Sequence, residues 1–179
     1  MRRETLLDFF ESFAAHPNEF LVYFDGYRTR SHTYKDVASA ARRFCERLAQ
    51  AGLAPGDRVL FWGENRPEWI VALWGCLLRG VVVVPLDYRA SSDLLVRVQQ
   101  IADARLLLLG DETVQPPDTR VSVWPLSSIE WRGPDGDPQV SSVNRDSVAE
   151  ILFTSGATAE PKGVIIQHRN ILAHAELVY

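Results

Sequence analysis

Cysteine is scarce in this sequence. The chain of 179 residues holds two, Cys45 and Cys76, too few for a disulfide scaffold. Both fall in helix-like segments, so buried free thiols are expected. An excess of positive charge is missing as well. Nineteen Lys and Arg stand against 23 Asp and Glu, a net charge of −4. Such a chain matches a nucleic-acid backbone poorly, which argues against a nucleic-acid-coating role. No continuous apolar core follows the early arginines of MRRETLLDFFESF, so this segment does not read as a secretory signal. The most membrane-like stretch, Trp69–Leu86, is interrupted by Arg79, Gly80 and Pro85. A buried helix followed by a buried strand explains it better than a membrane span, and a cytoplasmic location is expected. His16, His32 and His174 have no partners at metal-ligand spacing, and no metal site is assigned. Repeats and low-complexity tracts are not evident.

What is present reads as an ordered domain. The hydrophobic fraction is 46% and the charged fraction 23%, both ordinary globular values. Leu6, Phe9, Phe10 and Phe13 recur at helical spacing and predict a helix over 4–15. Asp25-Gly26 between two β-rich runs, 19–24 and 27–31, predicts a hairpin. Thr33 with Asp36 three residues later predicts a helix start, and that helix should stop near Gly52. From Pro55-Gly56 onward the pattern is strand (58–62), helix to about 78, strand (81–84), helix capped at Ser91 or Ser92, and strand (105–109). Asn65 is the expected cap of the first of these helices, with Pro67 in its first turn. This βαβαβ order implies a parallel sheet with right-handed crossovers. Residues 110–148 carry prolines and the turn-rich WRGPDGDPQ, with one strand candidate at 121–124. The expected divisions are a helix and hairpin (1–32), a doubly wound unit (33–130), a connector (131–148) and a final segment (149–179).

That final segment carries the chemistry. TSGATAEPKG, residues 154–163, lies between two short apolar runs, 151–153 and 164–166. A loop rich in glycine, small residues and hydroxyls suits a polyphosphate, because backbone N–H groups can approach anionic oxygens. Thr154, Ser155 and Thr158 add hydroxyl donors, and Lys162 adds a mobile cation. The spacing is not that of a Walker A loop. Gly156 precedes Lys162 by six positions, and Gly163 stands where a hydroxyl residue would hold magnesium.

TSGATAEPKGV followed by QHRNILAH strongly resembles the phosphate-binding signature of the adenylate-forming acyl-CoA synthetase superfamily. The region from HTYKDV through GDRV, NRPE and GVVVVPL is similar to the N-terminal part of that family. The resemblance implies a three-layer α/β/α sandwich with a mostly parallel sheet, and an incomplete N-terminal part of a larger ligase fold. It implies that Thr154, Ser155, Gly156, Thr158 and Lys162 form the loop that closes on the β- and γ-phosphates of ATP, with Gly163 permitting a tight exit. Ala157 and Ala159 depart from the commonest form, and the loss of a hydroxyl at Ala157 would weaken phosphate binding. The implied reactants are Mg2+, ATP, a carboxylic acid (fatty acid preferred) and CoA or an acyl carrier protein. The family's adenine, ribose and late-lysine motifs are not in this chain, so no catalytic residue is assigned and the chain alone is expected to be inactive. Alternatives are a fatty acyl-AMP or acyl-carrier-protein ligase, and a non-catalytic truncated paralogue acting as a binding module. An early end to the sheet would leave apolar surface uncovered, and self-association is expected.

Overall fold

The computed structural model describes residues 3–114, 120–134, 136, 138–154 and 160–175. The chain opens with helix α1 (Leu6–Phe13) and an antiparallel hairpin of β1 (Glu19–Phe24) and β2 (Thr29–Thr33). Strand β2 begins two residues later than the sequence suggests. The Asp25 carboxylate accepts the N–H groups of Tyr27 and Arg28 at 3.0 and 2.8 Å, which commits both residues to the turn.

Helix α2 (Tyr34–Gln50) starts at the expected capping box. Asp36 N–H donates to Thr33 Oγ1 at 3.1 Å, and Thr33 N–H donates back to Asp36 Oδ2 at 2.8 Å. Beyond its end Gly52 takes φ +78°, the left-handed turn that ends helices at little cost in glycine. Helix α3 (Pro67–Arg79) is capped at Arg66, not Asn65. Pro67 supplies the first helical residue, so the extended residue before it becomes the cap. The Arg66 side chain makes no cap bond and is used elsewhere.

Six strands form the main sheet in the order β6-β5-β3-β4-β7-β8. They are β3 (Arg58–Trp62), β4 (Val82–Leu86), β5 (Ala104–Leu109), β6 (Ser122–Pro125), β7 (Val148–Thr154) and β8 (Lys162–Gln167). All neighbours run parallel except β8, which returns antiparallel to β7. Helix α3 links β3 to β4, and α4 (Ser92–Ala102), capped by Ser91, crosses back from β4 to β5. The two crossovers travel in opposite directions along the sheet, so crossovers of one hand put their helices on opposite faces.

The strand residues obey that division. Val59, Phe61, Val83, Leu106 and Leu108 pack towards α2 and α3, while Leu60, Trp62, Val84 and Leu107 pack towards α4. The result is the α/β/α sandwich expected from the sequence. Cys45 and Cys76 are both buried free thiols in the first of these layers. Burial pushes the Cys45 thiol up to about 11, so it stays protonated and unreactive at neutral pH. A last helix, α5 (His168–Ala175), follows β8. Among the described residues no helix is long and apolar enough to cross a membrane.

Candidate functional site

In an open parallel sheet, ligands bind beyond the carboxyl ends of the strands. Here β3, β4, β5 and β7 all end on one side. The hairpin of β7 and β8 brings the expected phosphate segment to that side. Its last rung pairs Thr154 with Lys162, and the rung before it pairs Phe153 with Gly163. Cross-strand partners lie on the same face of a sheet, with Cβ atoms about 5 Å apart. The Thr154 and Lys162 side chains therefore project from the same face at the loop end of the hairpin, and both residues are exposed. Ser155, Gly156 and Thr158 lie outside the described residues.

Gly163 does not make a tight exit. It lies inside β8 with ordinary strand backbone. A Cβ at this position would approach Ile151 Cγ2 to 2.9 Å and the Phe153 ring to 3.2 Å. The glycine thus lets its partner strand's side chains close over β8. Beside that loop end, between the ends of β4 and β7, is a cavity of about 240 Å³. Leu86, Leu94 and Phe153 line it, with Asp87, Arg89 and Thr154 among its polar groups.

The far end of the hairpin is anchored. His168, at the start of α5, is 1% exposed. Its Nδ1 accepts the N–H of Leu6 at 3.2 Å, and its own N–H donates to the Ser147 carbonyl at 3.1 Å. Nδ1 can accept only when unprotonated, and burial holds the pKa of His168 below its usual value. The histidine is a structural tie between the first helix and the last.

A second polar cluster at the same side of the sheet was not singled out from sequence. Arg66 donates to Glu64 at 3.1 Å, Glu68 at 2.8 Å and Asp111 at 2.6 Å. The Glu64 carboxylate also accepts the N–H groups of Asp111 and Glu112, which ties the end of β3 to the end of β5. Glu68 accepts from the Trp131 indole at 2.9 Å, and Trp131 stacks on His32 with ring centres 3.7 Å apart. Burial alone would lower the Arg66 pKa, but its bonds to Asp111 and Glu68 outweigh that and raise it. The hydrogen bond from Arg66 in turn holds the Asp111 carboxyl below its usual value. From sequence, Asp111 and Glu112 follow a strand end, where carboxylates can project into a ligand crevice, with a plain loop as the favoured reading. The available signal was two parallel strand ends reading Gly63-Glu64 and Gly110-Asp111. Among the described residues no three His, Cys, Asp or Glu side chains are placed to hold a metal.

A family model described as AMP-binding enzyme matches residues 9–179. The chain belongs to that family. It is 34% identical over 154 residues to a fatty acid–acyl-carrier-protein ligase, ScoC, of Streptomyces coeruleorubidus, covering 80% of the chain and 30% of that protein. It is 29% identical over 141 residues to a feruloyl-CoA synthase of an Amycolatopsis species, covering 78% of the chain and 29% of that protein. Among solved structures it resembles the fatty acyl-adenylate ligase from L. pneumophila in complex with acyl adenylate and pyrophosphate. The TM-score is 0.85 at 26% identity, over 96% of this chain and 32% of that one. The chain thus spans about a third of the length of these relatives.

Proposed function

We propose that this chain carries the phosphate-handling part of an ATP-dependent ligase that activates a carboxylic acid as its acyl-adenylate. The observation that carries the reading is the cross-strand pairing of Thr154 with Lys162 at the loop end of the β7–β8 hairpin, within TSGATAEPKG. In the reaction a carboxylate oxygen attacks the α-phosphorus of ATP, the bond to the bridging oxygen breaks, and pyrophosphate leaves with the β- and γ-phosphates. Negative charge grows on that leaving group. A lysine and hydroxyl donors held at fixed positions stabilise it without reorganising at the moment of reaction. Ser155, Gly156 and Thr158 would complete the cradle. Mg2+, where bound with ATP, would add charge neutralisation at the same phosphates.

Fatty acid is the acid class the reading favours, since ScoC and the L. pneumophila ligase are both named for fatty acyl chemistry. The acceptor thiol belongs to CoA or to a carrier protein, and ScoC supports the carrier protein.

The test uses pyrophosphate with the 179-residue chain. The expected result is 31P line broadening on addition of the chain, reduced about tenfold or more by Lys162→Ala. Broadening that survives the substitution would remove Lys162 from the site. The chain alone is expected to catalyse no carboxylate-dependent ATP–pyrophosphate exchange.

A further inference from the structure

The β1–β2 hairpin stands apart from the main sheet as a two-stranded ribbon. Among the described residues, β1 pairs on one edge alone. Counting the antiparallel alternation from the Asp25 N–H to Arg28 carbonyl bond, Val22 and Phe24 occupy non-hydrogen-bonded positions opposite Ser31 and Thr29. Their N–H and C=O groups therefore point away from β2. Val22, with Leu21 and Tyr23, borders a groove of about 200 Å³ whose other wall is the first turns of α3. Leu21, Val22 and Tyr23 form one side, and Pro67, Trp69 and Ile70 the other. The Val22 and Phe24 side chains are 62% and 63% exposed.

A second cavity of about 240 Å³ adjoins the groove, with Tyr23, Arg66 and Pro67 lining both. Five carboxylates line this cavity, those of Asp25, Glu64, Glu68, Asp111 and Glu112, against the guanidinium groups of Arg30 and Arg66. Burial depresses the pKa of His32 at its wall, so that ring adds no charge at neutral pH. One compartment is apolar with unpaired strand hydrogen-bonding groups. The next is anionic. The two adjoin.

The geometry points to a docking site for an extended peptide segment of a partner protein, added as a third strand on β1. Its backbone would bond to Val22 and Phe24. One apolar side chain would enter the groove beside Trp69 and Ile70. A lysine or arginine two residues away, about 7 Å along the strand and on the same face, would reach the anionic cavity. Phosphate-bearing partners and membranes of anionic lipid are disfavoured by the excess of carboxylates. The site is independent of the phosphate hairpin.

The probe is a six-residue peptide of threonines carrying one leucine and one lysine two positions apart, titrated into the 15N-labelled chain. Amide shifts should appear at Val22 and Phe24, and an indole shift at Trp69, with a dissociation constant on the order of 100 μM. Replacing the peptide lysine by glutamate, or N-methylating its central amides, should each weaken binding about tenfold or more. Val22→Pro in the chain should do the same. It deletes an N–H that does not bond to β2, and proline is tolerated at such edge positions. No shifts up to about 1 mM peptide, or an affinity indifferent to the lysine and to N-methylation, would overturn the proposal.

Discussion

At the residue scale, two side chains hold positions where charge decides stability. Arg66 is one cation shared by three carboxylates, and its side chain is 14% exposed. Removing one member of such a cluster leaves the others uncompensated in a poorly hydrated place. Arg66→Met, similar in volume, is expected to lower stability by about 2 to 3 kcal/mol, read from the urea midpoint at neutral pH. Removing Glu64 and Asp111 as well should restore part of that loss, because fewer buried charges are then left unpaired. His168 is the other. Its pKa is depressed in the folded state by burial, while an unfolded chain titrates near 6.5. The unfolded state therefore binds more protons between those two values. The stability contributed by the neutral ring is complete above about pH 6.5 and is lost as pH falls below it towards the depressed value. A His168→Gln variant should flatten that limb of the pH–stability curve, measured by thermal unfolding in buffers between pH 7.5 and 5, about the range in which a free imidazole titrates.

At the scale of elements, the close approach of neighbouring strand ends sets a narrow tolerance. Gly63 and Gly110 follow β3 and β5, and a Cβ on Gly63 would lie 2.8 Å from the Gly110 Cα and N. Those are backbone atoms and cannot swing aside. Gly63→Ala is expected to cost about 1 to 3 kcal/mol and to loosen the Asp111 and Glu112 N–H bonds to Glu64, visible as faster amide exchange at those two residues. The elements themselves were readable because periodicity and capping chemistry are local. Thr33 with Asp36, Ser91, and the solid Val81–Val84 run each carry their own reason. Boundaries slipped where a side chain answered a partner elsewhere. Asn65 looked like a cap, yet Pro67 fixed the cap at Arg66. Gly163 looked like a turn glycine, yet its reason is the bulk of Ile151 and Phe153 across the ladder. The Arg66 cluster was illegible for the same cause, since Asp111 lies 45 positions away and only the parallel register of β3 with β5 brings them together. The proposed phosphate segment could be picked out as a motif because its residues are contiguous, and the structure pairs two of them, Thr154 and Lys162, across the hairpin.

At the scale of the whole molecule, apolar surface is unevenly covered. The β7–β8 hairpin leaves Leu152 40%, Val164 48% and Ile165 61% exposed. Within the described residues β8 is the last strand of the sheet, so its outer edge offers unpaired backbone groups next to these side chains. Such an edge is a template for pairing with another copy. The 179-residue chain is expected to self-associate at about 10 to 100 μM in sedimentation velocity, a weak-interface range. Ile165→Lys, a charge on the exposed edge, should shift it towards monomer. A chain that runs as a clean monomer at these concentrations and binds no apolar dye would count against this expectation.

The bond from Leu6 to His168 spans 162 positions of sequence. Helix α1 also packs Phe10 and Phe13 against Trp74, about 60 residues further on. A ribosome making this protein releases α1 well before its partners. At about 5 to 20 residues per second, α1 waits several seconds for Trp74 and longer for the histidine that receives its first turn. Helix α1 is locked in place only once these much later residues have emerged, and through that interval its phenylalanine face is open to whatever meets the nascent chain.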